Sequence, residues 1–141
     1  MSEEQQQAET AAGYDVMRHE LLPIILGEDE EVILYWAGKS LAREKKKTDE
    51  EALMQWFRTA QWGELRLIKE KRAERIYEVT TSSYEPKRPY SLETGFLAQA
   101  TELEKGLLAE ANYEIKKKKP VTFHVTVKWD KKDPAASASQ E

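Results

Sequence analysis

The stretch Val121-Thr-Phe-His-Val-Thr-Val-Lys-Trp129 decides the fold class, because its apolar and polar residues alternate without a break. Successive side chains of a β-strand point to opposite faces of the sheet, so one face of this strand is apolar throughout and the other is polar. Such alternation is typical of an antiparallel sheet with one face on the core and one face in water. The sequence therefore predicts a strand with these core-facing residues: Val121, Phe123, Val125, Val127 and Trp129.

The residues directly before this strand allow two interpretations. Leu107, Ala111 and Ile115 have the spacing of a continued helix, whereas every second residue from Ala109 to Ile115 is apolar or aromatic, as in a strand. We favour a strand over 108–117, because the strand that follows needs an antiparallel partner close by. The same period of two appears earlier, in two runs that are separated by a polar turn, and predicts another hairpin: Leu65 and Leu67, then Ile76, Tyr77 and Val79.

Four helices are predicted from apolar residues that recur every three or four positions. The first, from Tyr14 to Leu26, carries an apolar stripe that we expect to face the core: Tyr14, Met17, Leu21 and Ile25. The second runs from about Glu28 to Lys46. The third begins at Thr48, which forms a capping-box pattern with Glu51. The fourth has Ser91 as its N-cap and ends at Gly106.

These elements predict an α+β fold in which N-terminal helices pack on a four-stranded antiparallel sheet, in the order α-α-α-β-β-α-β-β. Residues 14–130 are expected to form a single α+β domain. Residues 1–13 form a polar N-terminal segment, and residues 131–141 a polar C-terminal tail. Neither segment could bury enough apolar surface to offset the entropy lost on ordering, so both are predicted to be disordered.

Composition excludes several classes of protein. The chain has no cysteine, which rules out disulfides and thiolate metal sites. Its net charge is −4 with both signs interspersed, which disfavours nucleic acid as a partner. Its longest apolar runs, such as Val32–Ala37, are far shorter than the ~20 residues that span a bilayer. We therefore expect a cytoplasmic protein without membrane insertion.

Reactive side chains do not form a recognisable constellation. His19 and His124 are the only histidines, and both are expected to be exposed and not to act as ligands. The sequence thus predicts no catalytic, metal-binding or cofactor-binding residue and no cofactor. Lys116–Lys119 could attract an anionic partner, but we interpret them as a solubilising hairpin tip, because no aromatic residues are interleaved with them.

The second helix is apolar around most of its circumference, which is typical of a helix that is covered on more than one side. Its tryptophan, Trp36, is expected to face either a pocket or another subunit. We predict a homodimer in which this helix forms the contact, with these residues at the interface: Ile33, Trp36 and Ala37.

Several segments resemble the YslB family of uncharacterised Firmicutes proteins: Tyr35-Trp-Ala-Gly-Lys39 with Leu41-Ala-Arg43, Trp62-Gly63, Leu92-Glu-Thr-Gly-Phe-Leu-Ala-Gln99 and Val125-Thr-Val-Lys-Trp-Asp-Lys-Lys-Asp-Pro134. They occur in the family's order and cover most of residues 14–134. The family has no established function. Its fold is similar to that of TRAPP vesicle-tethering subunits, vinyl-reductase-type ligand-sensing domains and haem nitric-oxide-binding domains.

That similarity implies N-terminal helices followed by a hairpin, a helix and a second hairpin, and it supports a strand at 108–117. It also implies dimerisation through the helices and an apolar pocket. The cysteine-based metal and acylation sites of those proteins cannot exist here, because the chain has no cysteine. Together with the supply of large aromatic side chains, the similarity predicts a pocket for a small hydrophobic molecule, formed by Tyr35, Trp36, Trp56, Phe57 and Phe96.

Two functions are open at this point. We favour a non-catalytic binding domain, most simply a homodimer, that is either a sensor of a small apolar ligand or an adaptor for other proteins. An enzyme with an unrecognised active site is the alternative. A sensor requires an enclosed cavity, an adaptor requires an exposed apolar or charged patch, and an enzyme requires polar groups that converge in a cleft.

Overall fold

The computed structural model describes residues 2–134, with side chains as far as Lys131. The elements follow one another in this order: α1 (Glu3–Asp15), a π-helical segment (Val16–Leu21), α2 (Leu22–Leu26), a 3₁₀ turn (Gly27–Asp29), α3 (Glu30–Lys45), α4 (Glu50–Thr59), β1 (Glu64–Glu70), β2 (Glu74–Thr80), α5 (Ser91–Lys105), β3 (Leu107–Lys118) and β4 (Val121–Pro134). The fold is α+β, as the alternation and helical periodicity predict.

The four strands form one antiparallel sheet in the order β1-β2-β4-β3. Strand β4 is therefore central, and its five predicted core-facing residues are all buried. Residues 108–117 lie within β3, which confirms the strand interpretation of that segment. Strand β3 is the last strand in this order and is therefore an edge strand.

Helix α5 is the central, buried helix of the fold. It lies between α3 on one side and strands β3 and β4 on the other, so its residues from Glu93 to Glu102 are all buried. Helix α3 approaches it closely at two glycines. A methyl group on Gly38 would overlap the carbonyl oxygen of Leu92, and one on Gly95 would overlap that of Tyr35. The two helix backbones therefore pack in direct contact, which only glycine permits at these positions.

Two helix starts differ from the sequence prediction. The N-cap of α4 is Asp49, whose carboxylate accepts a hydrogen bond from the Ala52 amide at 2.7 Å, so Thr48 is not the cap. Ser91 is the first residue of α5, and its hydroxyl donates to the Glu31 carbonyl at 2.6 Å. At α4 the neighbouring Asp49 takes the capping role, and at α5 the Ser91 hydroxyl makes a long-range hydrogen bond that the local pattern does not contain. The C-cap at Gly106 is as predicted.

The two ends of the chain contain more regular structure than the sequence predicts. Helix α1 occupies residues 3–15, and Ser2 caps it, but none of its residues is buried. Strand β4 continues beyond residue 130, and Pro134 lies opposite Leu107 of β3. Met1 and residues 135–141 lie outside the described residues. The domain limits and the disorder of the two ends therefore stay predictions.

Candidate protein-binding surface

The first predicted helix is interrupted by a π-helical segment. Within it the Leu22 amide donates to the carbonyl of Met17, five residues earlier, instead of four as in an α-helix. The wider turn changes which side chains share a face. Three residues of the predicted apolar stripe, Met17, Leu21 and Ile25, are exposed, so the expectation that they face the core was wrong. The fourth, Tyr14, packs against the core as predicted.

A charged residue of the same segment, Arg18, faces the core instead of these apolar side chains. The side chain of Arg18 is 3% exposed and that of its partner Glu93 on α5 is 1% exposed. The Arg18 guanidinium donates to the Glu93 carboxylate at 2.6 Å, to the Tyr14 hydroxyl at 2.7 Å and to the Pro89 carbonyl at 3.3 Å. Burial alone would lower the pKa of Arg18, but the Glu93 carboxylate and Tyr14 raise it above its usual value, so the guanidinium stays charged.

Because Arg18 points into the core, apolar side chains of the same segment are exposed to solvent. Among the side chains that the structure describes, eight of the eleven exposed large hydrophobic ones lie between residues 16 and 36. We call this set the helical surface: Val16, Met17, Leu21, Ile24, Ile25, Val32, Ile33 and Trp36. Such a concentration of exposed apolar side chains is typical of an interaction site, whereas single exposed hydrophobic residues are ordinary.

The three residues predicted at a dimer contact lie on α3, and two of them, Ile33 and Trp36, belong to the helical surface. Ile33, Trp36 and Ala37 are all exposed on α3. The opposite side of the same helix carries Leu34, Gly38 and Ala42, which are buried. Helix α3 is thus covered on one side only, although its sequence is apolar on both sides.

The structure does not bring the five predicted pocket residues together. Trp56 stacks on Phe96 with ring centroids 5.7 Å apart, and Phe57 meets Phe96 edge-on at 6.1 Å. Trp62 also meets Phe96 edge-on, at 5.2 Å. These four rings fill the space between α4, α5 and the start of β1. The sequence analysis did not place Trp62 at a site, although Trp62 directly follows the amphipathic helix that carries Phe57, which it meets edge-on at 5.0 Å.

Tyr35 and Trp36 instead line an open groove between α3 and the edge strand β3, which we call the α3–β3 groove. Its volume is about 480 Å³. The Ala111 amide donates to the Tyr35 hydroxyl at 3.2 Å, and the Tyr113 hydroxyl donates to the Glu31 carboxylate at 3.4 Å. Burial raises the pKa of both tyrosines, so both hydroxyls keep their protons at neutral pH. Sequence analysis placed neither Tyr113 nor Ile115 at a site, although the edge position of their strand could have indicated it.

A second open groove of about 670 Å³ lies on the other side of Trp36, towards Trp129. Lys39 lies at its base, with its ammonium group 3.4 Å from the Glu102 carboxylate and 5.4 Å from the centroid of the Trp36 ring. Glu102 also accepts a hydrogen bond from the Ala109 amide at 3.2 Å. The base of this groove therefore consists of an ion pair that is held by backbone and aromatic contacts.

The histidines occupy structural positions. His19 was expected to be exposed, but it is half-buried beside the Tyr90 ring, at a centroid distance of 6.4 Å. Burial, followed by the charge of Arg18, lowers the pKa of His19. His124 lies 3.1 Å from the Glu78 carboxylate on the outer face of the sheet, and this hydrogen bond lowers the pKa of Glu78. Among the described side chains, no group of three or more potential ligands could hold a metal ion.

None of the helices within the described residues has both the length and the apolar character required to cross a membrane.

The fold is that of the vinyl-4-reductase family structures. A crystal structure of a vinyl-4-reductase family protein from Methanocaldococcus jannaschii superposes with a TM-score of 0.59, covering 92% of this chain and 96% of that one, at 16% identity. The family profile described as "Protein of unknown function (DUF2507)" matches residues 11–127, so the chain belongs to that family. The uncharacterised protein YslB of Bacillus subtilis (strain 168) is 36% identical over 130 residues, which is 88% of this chain and 87% of YslB. The predicted resemblance to the YslB family is thereby confirmed.

Proposed function

We propose that the chain is a non-catalytic protein-binding module that works as a homodimer, joined through the helical surface. The observation that supports this proposal is the location of the exposed apolar side chains: eight of eleven lie between residues 16 and 36. Ile24, at 80% exposure, and Ile25, at 63%, gain nothing from the fold of a single chain. Burying such side chains against a second copy would be worth about 1.5–3 kcal/mol each before the cost of association.

Trp36 is the expected anchor of the contact. Tryptophan is enriched at the centres of protein interfaces, where its truncation often costs 2 kcal/mol or more. The ammonium group of Lys39 lies over the Trp36 ring, and Tyr35 meets the ring edge-on at 5.9 Å. The indole is therefore held in place while 57% of the residue is exposed. A side chain that is rigid and exposed loses little conformational entropy on association.

Sedimentation equilibrium of three proteins tests the proposal. The wild type should dimerise at micromolar concentration. Ile33→Asp places a charge in the contact and should leave a monomer. The matched control Ile68→Asp changes an exposed isoleucine on β1, outside the helical surface, and should dimerise like the wild type. A wild type that stays monomeric at high micromolar concentration, or equal weakening by both substitutions, would contradict the proposal.

The alternative of a small apolar ligand rests on the α3–β3 groove, whose volume falls within the range of about 300–1,000 Å³ that is common for ligand sites. The groove is open, and three of the five predicted pocket residues fill the core instead. Among the two binding functions, an adaptor is therefore the better supported. Native mass spectrometry would support the ligand alternative if it detected a stoichiometric small molecule on the purified protein. The cytoplasmic location and the exclusion of nucleic acid stay predictions, and an enzyme stays the alternative function.

A further inference from the structure

The edge strand β3 has one side of its backbone unpaired with any strand. In an antiparallel ladder, residues point their N–H and C=O groups alternately towards the partner strand and away from it. The Ala109 amide donates to Glu102, and the Ala111 amide donates to the Tyr35 hydroxyl. These two residues therefore point away from β4, and side chains of α5 and α3 occupy their edge groups.

The same alternation continues further along β3. Its register with β4 is regular from Ala109 to Ile115, so Tyr113 and Ile115 also point their backbone groups away from β4. Within residues 2–134, their N–H groups donate to neither a side chain nor a loop. Two residues of the edge thus present hydrogen-bonding backbone that needs a partner, and both residues line the α3–β3 groove.

The groove beside these backbone groups has a definite chemical character. Val32 and Trp36 of α3 form its apolar wall, and Ile115 lies on the strand side. At the end of β3, the exposed run Lys116–Lys119 follows directly. Lys116 pairs with Glu114 at 3.2 Å, whereas Lys117 to Lys119 have no carboxylate within 4.0 Å among the described side chains. The groove therefore has an apolar wall, one carboxylate, Glu31, that accepts a hydrogen bond from the Tyr113 hydroxyl, and unneutralised positive charge beyond Ile115.

We propose that the α3–β3 groove binds an extended acidic peptide segment of a partner protein, which adds to β3 as a fifth strand. The backbone of the peptide would pair with Tyr113 and Ile115. Its apolar side chains, at alternate positions, would contact Val32 and Trp36, and its acidic residues would lie beside Lys117–Lys119. Main-chain pairing of this kind supplies affinity while the side-chain pockets supply specificity. The site goes beyond the self-association proposed above and does not depend on it. The two sites share Val32 and Trp36, so the peptide and a second copy of the chain compete for these two side chains.

The charge and the free backbone distinguish this occupant from two others. A second copy of this chain would bring its own four lysines to the same edge, whereas an acidic segment neutralises the lysines that are present. A small apolar molecule would fill the groove but would leave the N–H groups of Tyr113 and Ile115 unpaired, and covering an unpaired backbone group is costly. An extended acidic chain both neutralises the lysines and pairs with the N–H groups of Tyr113 and Ile115.

Fluorescence polarisation with a labelled peptide of sequence VTVTVTEEE tests the proposal. A second peptide has the same side chains but carries N-methyl groups on alternate amides, so that it cannot pair along one edge. N-methylation removes the two hydrogen bonds to the backbone of Tyr113 and Ile115, so it should weaken binding by about fivefold or more. Running the assay on Ile33→Asp separates the result from dimer formation. Absence of binding at millimolar protein, or equal binding of both peptides, would overturn the proposal.

Two charge variants locate the acidic end of the peptide. The triple substitution Lys117→Glu, Lys118→Glu, Lys119→Glu should abolish measurable binding. Its matched control, Lys69→Glu, Lys71→Glu, Arg72→Glu, makes the same charge change at the exposed turn between β1 and β2 and should bind the peptide almost normally. Equal loss in both variants would mean that binding follows net charge alone and would overturn the proposal.

Amide hydrogen exchange gives the position directly. On addition of the peptide, exchange at Tyr113 and Ile115 should slow, while exchange at Ala109 and Ala111, which already have partners, should change little. Protection on the helical surface without protection of β3 would contradict the site. An anionic dye with an apolar ring system, 1-anilinonaphthalene-8-sulfonate, serves as the small-molecule probe. Binding of the dye in the groove without binding of the peptide would assign the groove to small molecules instead.

Discussion

Replacement of Arg18 by methionine tests the buried ion pair between Arg18 and Glu93, which occupies the core in place of Met17, Leu21 and Ile25. Methionine has a similar length and no charge, so Arg18→Met keeps most of the packing but leaves the Glu93 carboxylate without its ion-pair partner. Glu93 lies on α5, where its side chain is 1% exposed. Removing one partner of such a buried pair typically costs about 3–5 kcal/mol, because the remaining charge is neither hydrated nor neutralised.

That loss is large against the total stability of a domain, which is about 5–15 kcal/mol. In a domain of this size each kcal/mol lowers Tm by about 4 °C, so Arg18→Met should unfold about 12–20 °C below the wild type. The double variant Arg18→Met/Glu93→Leu removes both charges, and an apolar pair of similar volume is often tolerated in place of a buried ion pair. It should therefore recover about 2 kcal/mol or more of the loss.

Urea denaturation of the wild type, the two single variants and the double variant gives the coupling free energy between the two positions. The reasoning requires a single-variant cost of several kcal/mol and a coupling of at least ~1 kcal/mol. A cost below ~1 kcal/mol for Arg18→Met, with additive effects in the double variant, would refute it. Such a result would mean that Arg18 is solvated in solution and that the stripe of Met17, Leu21 and Ile25 faces inward.

Two further stability predictions follow from the packing and the pKa shifts. Gly95→Ala should lower the free energy of unfolding by about 1–3 kcal/mol, because the new methyl group overlaps the Tyr35 carbonyl; Gly13→Ala, where nothing lies within 4 Å, is the control and should be neutral or stabilising. The lowered pKa of His19 means that its neutral form favours folding, so the wild type should lose stability as the pH falls below the usual histidine value of 6.5. His19→Gln should remove that part of the pH dependence between about pH 7.5 and 5.5, as measured by urea denaturation, and an unchanged slope would contradict the assignment.

The sheet could be predicted from the sequence because the pattern that specifies it lies within short stretches of neighbouring residues. The alternation from Val121 to Trp129 specifies which side chains face the core, and the need for an antiparallel partner then decides residues 108–117. The end of α5 was likewise predictable, because Gly106 adopts the left-handed conformation that a helix C-cap favours.

The orientation of the first helix could not be predicted, because it depends on a residue 75 positions away. The periodicity of Met17, Leu21 and Ile25 assumes α-helical spacing, and the π-helical segment changes it. The decisive contact, between Arg18 and Glu93, places a charged pair where sequence patterns predict apolar residues. Buried ion pairs of this kind leave no periodic signal, since each partner alone resembles a surface residue.

The candidate surface was predictable in part. The excess of apolar residues around α3 predicts a second contact, which stays a prediction; the structure shows that Ile33, Trp36 and Ala37 are exposed. The five predicted pocket residues lie in two separate places. Tyr35 and Trp36 line the α3–β3 groove, whereas Trp56, Phe57 and Phe96 pack with Trp62. This packing depends on side-chain geometry, which the order of residues in the sequence does not contain.

Distance measurement between spin labels tests self-association through the helical surface most directly. The chain has no cysteine, so Ser40→Cys, on the exposed side of α3, places one label on each copy. Arg66→Cys places one label on β1, where the side chain of Arg66 lies on the solvent-exposed face of the sheet beside Glu78. Packed helices have axes about 8–10 Å apart, so in a dimer that is formed through α3 the two labels at residue 40 lie close together. Self-association through α3 predicts a short, well-defined distance for Ser40→Cys and a clearly longer one for Arg66→Cys. No dipolar coupling at Ser40→Cys, or a shorter distance at Arg66→Cys, would contradict it.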